Sequence, residues 1–177
     1  MKKLSHVDEK GRARMVDVSD KDRTVRRAVA RGRVSLGPEL LRKIIGGGGP
    51  KGDVLQVARI AAIQAAKKTS DLIPLCHPLQ ITNVKIDFDP DLATGEITIT
   101  VEVKALDRTG VEMEALTAAA AAALTIYDMC KALRKDIVIG PFFLLEKEGG
   151  KSGKYKKNPK TSSKANRFLE AVDKRQL

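Results

Sequence analysis

Two neighbouring stretches that alternate apolar and polar residues constrain the fold of this chain more than any other feature. Residues 81–88 (ITNVKIDF) and 96–105 (EITITVEVKA) alternate in this way, and the turn-rich segment 89–95 separates them. A period of two is typical of a β-strand with one buried face, and two such strands joined by a short turn form a hairpin. The sequence therefore predicts an antiparallel hairpin at 81–105.

The segments around the hairpin are predicted from helical spacing, caps and breakers. Residues 112–135 form the longest helical segment. Their unbroken alanine run, 118–123, favours either a tightly packed core helix or contact with a second subunit along the same small face. The other predicted helices are 20–31, with Ser19 or Asp20 as the N-cap, 38–45, and 53–68, with Asp53 as the N-cap. The remaining predicted strands are 33–36 and 137–145, the second interrupted by Gly140-Pro141.

The order of these segments is strand, helices, strand, strand, helix, strand. It is the βαββαβ pattern of an α+β, ferredoxin-like sandwich with an antiparallel sheet and additional helices. A chain of 177 residues is long enough for one domain with a real core. We predict a single domain at 1–154 and a basic, flexible tail at 155–177, with one short helix near 166–173.

The basic charge of the chain is concentrated near its C-terminal end. Residues 147–177 contain ten Lys or Arg and three Asp or Glu, a net of +7 out of the total of +11, which leaves +4 for the other 146 residues. Aromatic residues make up only 3% of the chain and tryptophan is absent, so there is little material for stacking bases. A basic nucleic-acid-binding module is therefore the disfavoured alternative, and a small anionic ligand such as a nucleotide suits this charge distribution.

Several other classes of protein are disfavoured by what the sequence lacks. It has no run of 18 or more apolar residues, so no membrane span is predicted. Residues 1–19 include basic residues but no apolar segment behind them, so we expect no signal peptide and a cytoplasmic protein. Two cysteines give little reason to expect a disulfide framework.

The long predicted helix carries acidic residues at both ends. Asp128 and Lys131 are three residues apart and share a face, either as an exposed ion pair or as an acid–base pair. Glu112 and Glu114 suit a helix N-terminus. On a continuous helix Glu114 and Asp128 would be about 21 Å apart, which exceeds the reach of one nucleotide-sized ligand. If both act in one site, that site must combine two chains, or the helix must begin after Glu114.

Basic residues outside the tail offer phosphate ligands, with a structural alternative at each position. Lys67 and Lys68 end a predicted helix, where they either cap its negative end or, with Lys51 and Arg26, bind phosphate. The segment 149–153 (GGKSG) is similar to half of a phosphate-binding loop. The full pattern requires glycine at position 145, and Leu145 stands there, so only a flexible segment that closes over an anion remains.

The stretch LIPLCHPL, residues 72–79, holds one imidazole on a stiff extended backbone. Too few other Cys and His residues exist to complete a zinc site with Cys76 and His77. Adjacent side chains in an extended chain point apart, which disfavours a Cys–His nucleophile. Pro78 biases His77 towards an extended conformation, so His77 is either a structural residue or a group held in a fixed direction.

Four segments together are similar to a known family. They are AAKKTSDLIPLCHPL, TGVEMEALTAAAAAALTIYDMCKAL, KGDVLQVARIA and GGKSG, and they resemble the cyclic pyranopterin monophosphate synthase family, molybdenum cofactor biosynthesis protein C. The resemblance covers residues 15–153. It implies a ferredoxin-like homohexamer, a trimer of dimers, with active sites at the dimer interfaces. It also implies that 3′,8-cyclo-7,8-dihydro-GTP is rearranged to cyclic pyranopterin monophosphate with release of pyrophosphate.

The resemblance also assigns roles to residues of this chain. Asp128, Lys131 and Lys51 match catalytic positions. The residues that match substrate-binding positions are Leu75, Cys76, His77, Glu112, Met113, Glu114, Arg26, Lys67, Lys147 and Lys151. Arg108 stands where the family often has lysine, a change that keeps the charge. The resemblance implies no resident cofactor and no protein-bound metal, although Mg²⁺ bound with the substrate triphosphate is compatible with it.

Overall fold

A six-stranded antiparallel sheet covered on one face by helices forms the body of the protein. The computed structural model describes residues 7–158 apart from 9, 48, 50 and 152. The strands are β1 (Thr24–Ser35), β2 (Ile81–Asp91), β3 (Glu96–Asp107), β4 (Val138–Ile139), β5 (Phe143–Glu148) and β6 (Tyr155–Lys156). The helices are α1 (Pro38–Ile45), α2 (Val54–Lys67), α3 (Thr69–Leu72) and α4 (Glu112–Cys130).

The strand order confirms the predicted α+β, ferredoxin-like class. Neighbouring strands follow the order β2-β3-β1-β5-β6, and the short β4 pairs with the end of β1. The hairpin predicted at 81–105 is β2 and β3, which pair from Ile81 with Ala105 to Asp91 with Glu96. The crossover from β1 to β2 contains α1 to α3, and the crossover from β3 to β5 contains α4.

The helix predicted at 20–31 is wrong, because this segment enters strand β1 at Thr24. Twelve residues of β1 pair with β3, and five also pair with β5 on the other side. Arg26, Ala28 and Ala30 face the helices and are buried, whereas Arg27 and Arg31 lie on the opposite face. The apparent helical spacing came from alanines and arginines, and tertiary pairing on both edges outweighs such a weak local preference. The strand predicted at 33–36 is the end of β1.

Other predicted boundaries also shift. Helix α4 ends at Cys130 rather than at Lys135, and the backbone N–H groups of Leu133 and Arg134 bond back to the Cys130 carbonyl in a closing turn. The strand predicted at 137–145 is two strands, β4 and β5, separated by the cis Gly140–Pro141 bond. Tyr155–Lys156, at the start of the predicted tail, pairs with β5. The short helix predicted near 166–173 lies outside the described residues.

Helix α4 packs closely on the sheet because its inward face is made of small residues. Ala115, Ala118, Ala119, Ala122 and Ala123 are fully buried against β1, β3 and α2. Helix α2 begins where it is predicted, with the Asp53 carboxylate accepting hydrogen bonds from the N–H groups of Leu55 and Gln56 at 3.1 Å. This packing fixes the direction in which both ends of α4 present their acidic residues.

Candidate active site

A cluster of three charged residues sits at the C-terminal end of α4. The Asp128 carboxylate is 2.6 Å from Lys131 Nζ and 3.0 Å from Lys51 Nζ, and Lys51 also donates to the Asp128 carbonyl at 3.3 Å. Lys51 comes from the loop before α2, so the contact joins two elements and extends the predicted Asp128–Lys131 ion pair. All three side chains are about half exposed, which leaves the cluster open to a ligand or a partner.

The charges of this cluster hold one another in their ionised forms. Hydrogen bonds from Lys131 and then from Lys51 lower the pKa of Asp128 below its ordinary value. The Asp128 carboxylate raises the pKa of Lys131 in return. Asp128 is therefore a carboxylate, and Lys131 an ammonium, over a wide pH range. A bound anion that attracts the lysines would release the carboxylate to accept a proton.

A cleft of about 400 Å³ lies beside the N-terminal end of the same helix. Leu75, Cys76 and His77 form part of its wall, and Glu112, Met113 and Glu114 form another part. The structure thus brings together the two segments that the resemblance assigns to the substrate. The wall combines apolar side chains with a few polar ones, which is typical of a site for a small molecule.

Glu114 is the most deeply buried acidic group in the described part of the chain. It is 3% exposed, and burial raises its pKa to about 7, with a smaller contribution from the negative charge of Glu112. Burial also raises the pKa of the Cys76 thiol, and the nearby Glu114 adds to the effect. Near neutral pH, Glu114 can therefore both give and take a proton, whereas Cys76 stays a thiol.

A second and larger cavity, of about 680 Å³, continues from the first. The two share Lys21, Thr109, Gly110 and Glu112, so they form one groove. Cationic residues outnumber acidic ones in the lining of the larger half. The acidic ones are Asp20, Asp22, Glu112 and Glu148, and the cationic ones are Lys21, Arg26, Arg27, Arg108, Lys147 and Lys151. Lys147 is paired with Glu112 at 2.9 Å where the two halves meet. One end of the groove is thus suited to phosphate and the other to a ring system.

Arg26 lines the basic half of the groove but is largely committed to the fold. It is 8% exposed, and its Nε and Nη2 donate to the carbonyls of Asp107 and Arg108 at 3.1 Å. Gly149 and Gly150, both with positive φ, pass directly over it, and a Cβ on Gly150 would come within 1.6 Å of Nη1. Arg26 therefore holds the two loops that border the groove.

The remaining predicted residue, Lys67, lies away from the groove. It is exposed at the end of α2 and borders a small cavity of about 10 Å³, whose wall also includes His77 and Glu114. The structure places it behind the cleft rather than among the cations of the basic half.

Several residues that line the groove were not predicted as site residues, among them Lys21, Arg27, Arg108, Val16 and Val18. Lys21 lay in the segment wrongly predicted to be helical. The signal that could have revealed it is the alternation of residues 24–35, which marks a strand whose start brings Lys21 to the groove. Val16 and Val18 belong to an irregular segment, and no local pattern predicts where such a segment packs.

Two negative findings apply to the described residues. They contain no cluster of three or more His, Cys, Asp or Glu side chains that could hold a metal ion. Among them there is also no helix with the length and apolarity needed to cross a lipid bilayer.

Comparison with known proteins shows a family match over most of the chain. The model of the MoaC family matches residues 15–150. The cyclic pyranopterin monophosphate synthase of Roseiflexus sp. (strain RS-1) is 56% identical over 155 residues, covering 88% of this chain and 98% of the relative. The protein of the same name from Pelobacter propionicus is 60% identical over 154 residues, covering 87% and 96%. A solved complex of the ferredoxin protease FusC reaches a TM-score of only 0.27 at 12% identity, over 64% of this chain and 10% of that chain.

Proposed function

The chain belongs to the MoaC family, and on that premise we propose that it is a cyclic pyranopterin monophosphate synthase. It is a lyase of molybdenum cofactor biosynthesis that converts 3′,8-cyclo-7,8-dihydro-GTP into cyclic pyranopterin monophosphate and releases pyrophosphate. The observation that carries this proposal is the continuous groove with one basic half and one half lined by apolar and titratable side chains. A guanine-derived triphosphate likewise has an anionic triphosphate at one end and a ring system at the other.

The basic half of the groove supports binding of the triphosphate. Forming a cyclic monophosphate requires a substrate hydroxyl to attack the α-phosphorus while the bond from that phosphorus to the pyrophosphate oxygen breaks. Lys147, Lys151 and Arg108 line the half of the groove that would hold the departing pyrophosphate, where their charges stabilise it. We propose no resident cofactor. A divalent cation, where one takes part, arrives with the triphosphate.

The other half supports the ring rearrangement, which needs several proton transfers. His77 and Glu114 line this half together, and the pKa of Glu114 near 7 suits a group that both donates and accepts protons. Leu75, Cys76 and Met113 supply the surrounding wall. We assign the substrate ring to this end of the groove. We also propose that the protein works in the cytoplasm, where the GTP precursor of its substrate is available.

One chain alone does not bring all the proposed catalytic residues together. Helix α4 is continuous from Glu112 to Cys130, so Glu114 and Asp128 are about 21 Å apart along it. The alternative that the helix begins after Glu114 is therefore wrong. We propose that Asp128, Lys131 and Lys51 of one chain complete the groove of a partner, within a homohexamer built as a trimer of dimers.

The outward face of α4 supports this arrangement. Met113, Thr117, Ala121, Leu124 and Asp128 recur every three or four residues on one side of the helix, and Met113 and Leu124 are exposed. Ala121 lies midway between Glu114 and Asp128. Two α4 helices that cross in antiparallel orientation near Ala121 would bring the groove of each chain next to the charged cluster of the other.

Active-site complementation tests the proposed function and the shared site together. We expect Lys51→Ala, Asp128→Ala and His77→Ala each to abolish product formation while light scattering shows an intact oligomer. Unfolding and refolding His77→Ala together with Asp128→Ala should restore activity at about a quarter of the sites, because half of the dimers are mixed and each has one intact site.

The matched control for this experiment is a mixture of Lys51→Ala with Asp128→Ala. Both residues belong to the same cluster, so no intact site can form and no activity should return. Formation of cyclic pyranopterin monophosphate and pyrophosphate is measured directly. Normal turnover in any single variant would refute the role of that residue, and restored activity in the control mixture would contradict the shared site.

A further inference from the structure

An irregular segment, residues 14–18, crosses the apolar half of the groove, and we call it the N-terminal strap. Val16 and Val18 are half-buried and line the cleft, whereas Met15, the residue before Val16, is 47% exposed. A turn follows the strap, in which the Asp17 carboxylate accepts from the Ser19 N–H at 2.9 Å and Lys21 N–H bonds to the Val18 carbonyl at 3.1 Å. The strap is therefore an ordered wall of the cleft without being part of a helix or a strand.

The strap makes one directed polar contact with a proposed catalytic side chain. The Nε2 atom of His77 lies 2.8 Å from the carbonyl oxygen of Val16, 61 residues away in the chain. A carbonyl oxygen can only accept a hydrogen bond, so His77 Nε2 must carry the hydrogen. In the neutral imidazole the lone pair then resides on Nδ1.

The core of the protein gives no reason for this contact. Neither Val16 nor His77 belongs to the cluster of buried apolar residues or to the strands and helices that enclose it. The region that matches the family model begins at residue 15, so it includes residues 15–18 of the strap. The hydrogen bond from His77 is therefore the polar contact that ties the strap to the cleft.

We propose that the N-terminal strap is a positioning element for His77. The Val16 carbonyl fixes the ring in the Nε2–H tautomer and in one orientation, and thereby makes Nδ1 the nitrogen that exchanges protons with the substrate. Val16 is thus a positioning residue that acts through His77. This inference rests on the proposed function for the chemistry of Nδ1, whereas the tautomer and its dependence on the strap stand independently of it.

Long-range nitrogen–proton NMR correlation on the ¹⁵N-labelled full chain tests the first half of the proposal. The chain has two histidines, so the substitution His6→Gln leaves His77 as the only imidazole. In spectra recorded where the ring is neutral, we expect the Nε2–H tautomer alone. A predominant Nδ1–H tautomer, or rapid averaging between the two forms, would overturn the proposal without any reference to enzyme activity.

Substitutions that remove the strap from the cleft test the second half of the proposal, the dependence of His77 on the strap. In Val16→Asp/Val18→Asp the two apolar contacts with the cleft are lost. We expect averaging of the His77 tautomers and a fall in kcat of about 100-fold, the cost of a misplaced catalytic group. Met15→Asp, at the exposed position just before Val16, is the control and should keep both the parental tautomer and parental turnover.

The kinetic and spectroscopic outcomes separate the possible failures. If the double variant keeps the parental tautomer, or if it loses only substrate affinity with kcat unchanged, the positioning role is refuted. If the tautomer responds as expected but the parent itself forms no cyclic pyranopterin monophosphate, the proposed function fails and the control of the His77 tautomer by the strap stands.

Discussion

At the scale of single residues, burial determines the chemistry of Glu114. Its side chain lies under the first turn of α4 with 3% exposure, and desolvation raises its pKa to about 7. Asp128, at the other end of the same helix, has a lowered pKa because two lysines donate hydrogen bonds to it. The pKa is therefore raised for one carboxyl group on this helix and lowered for the other. Opposite pKa shifts of this kind separate acid and base roles in an active site.

The raised pKa of Glu114 predicts a specific dependence of stability on pH. The folded state holds the proton up to about pH 7, whereas the unfolded chain releases it near pH 4.5. The contribution of Glu114 to the free energy of unfolding is therefore most favourable below pH 4.5 and is lost as the pH rises to 7. Glu114→Gln should be more stable than the parent at pH 8, by on the order of 1–3 kcal/mol, and equally stable near pH 4.5.

Urea unfolding at the two pH values measures this difference. Glu112→Gln is the matched comparison. It removes the smaller, electrostatic contribution to the raised pKa of Glu114 but also loses the ion pair with Lys147, so any gain in stability at pH 8 should be smaller than that of Glu114→Gln. A stability difference for Glu114→Gln that is the same at both pH values would contradict the titration of Glu114 in this range.

Neighbouring residues 76 and 77 should respond very differently to truncation. His77 is hydrogen-bonded through Nε2 and lines the cleft, whereas burial holds Cys76 as a thiol. We expect Cys76→Ala to keep substantial activity and His77→Ala to lose it, by about 100-fold or more if His77 is a proton-transfer group. Steady-state assays of both variants check this expectation, and equal losses would show that the backbone segment, rather than the imidazole, carries the effect.

At the scale of elements, the loop after β5 is shaped by Arg26. Gly149 and Gly150 adopt positive φ where the loop passes over the guanidinium, and Arg26 in turn holds the carbonyls at the end of β3. One buried side chain thus ties together the two loops that border the basic half of the groove. Loop geometry of this kind depends on close approach of the backbone, which only glycine allows.

Two glycine substitutions separate steric conflict from backbone strain. Gly150 and Gly153 both have positive φ, at 72° and 66°, so alanine is strained at either position. A Cβ at Gly150 would also meet Arg26 Nη1 at 1.6 Å, whereas nothing lies within 4 Å at Gly153. Gly150→Ala should therefore destabilise the protein by about 1–3 kcal/mol more than Gly153→Ala.

Thermal unfolding of the two variants gives the comparison. Gly150→Ala should also raise the KM for the triphosphate substrate, because the displaced Arg26 no longer holds the border of the groove. Equal melting temperatures for the two variants would mean that the loop does not depend on the Arg26 contact.

At the scale of the whole molecule, the charge is divided between a groove in the folded body and a basic C-terminal segment. Residues 159–177 contain five Lys or Arg and two Asp or Glu, and strand β6 ends before them at Lys156. Removing residues 159–177 should leave product formation unchanged within about twofold. Any binding to a non-specific oligonucleotide should weaken, with a shallower dependence on salt.

Fluorescence anisotropy at several salt concentrations, beside the product assay, distinguishes the outcomes. Oligonucleotide binding that persists with an unchanged salt slope would favour the alternative of a nucleic-acid-binding module in the body of the protein. Loss of turnover with an intact oligomer would place the C-terminal segment in the reaction.

The sequence predicted correctly the features that depend on neighbouring residues, and it failed for a feature that depends on distant ones. The β2–β3 hairpin, the Asp53 cap of α2 and the long alanine-rich helix α4 were predictable because their patterns are local. Residues 24–31 of strand β1 were predicted to be helical, because their alanines and arginines have no strong β-preference, whereas the end of the strand was predicted correctly at 33–36. Pairing with β3 and β5, whose residues lie 61–121 positions away in the chain, made it a central strand.

The sequence by itself determined the fold class, the family and the types of side chain in the candidate site, because local periodicity or contiguous motifs indicate each of them. Only the tertiary structure decided which of those residues meet. It brought Lys51 to Asp128 and the Val16 carbonyl to His77, and it gave Arg26, a predicted phosphate ligand, contacts that support the two loops beside the groove. The physical reason is that such contacts depend on how distant segments pack, and a carbonyl or a glycine takes part through its backbone position rather than through a recognisable side chain.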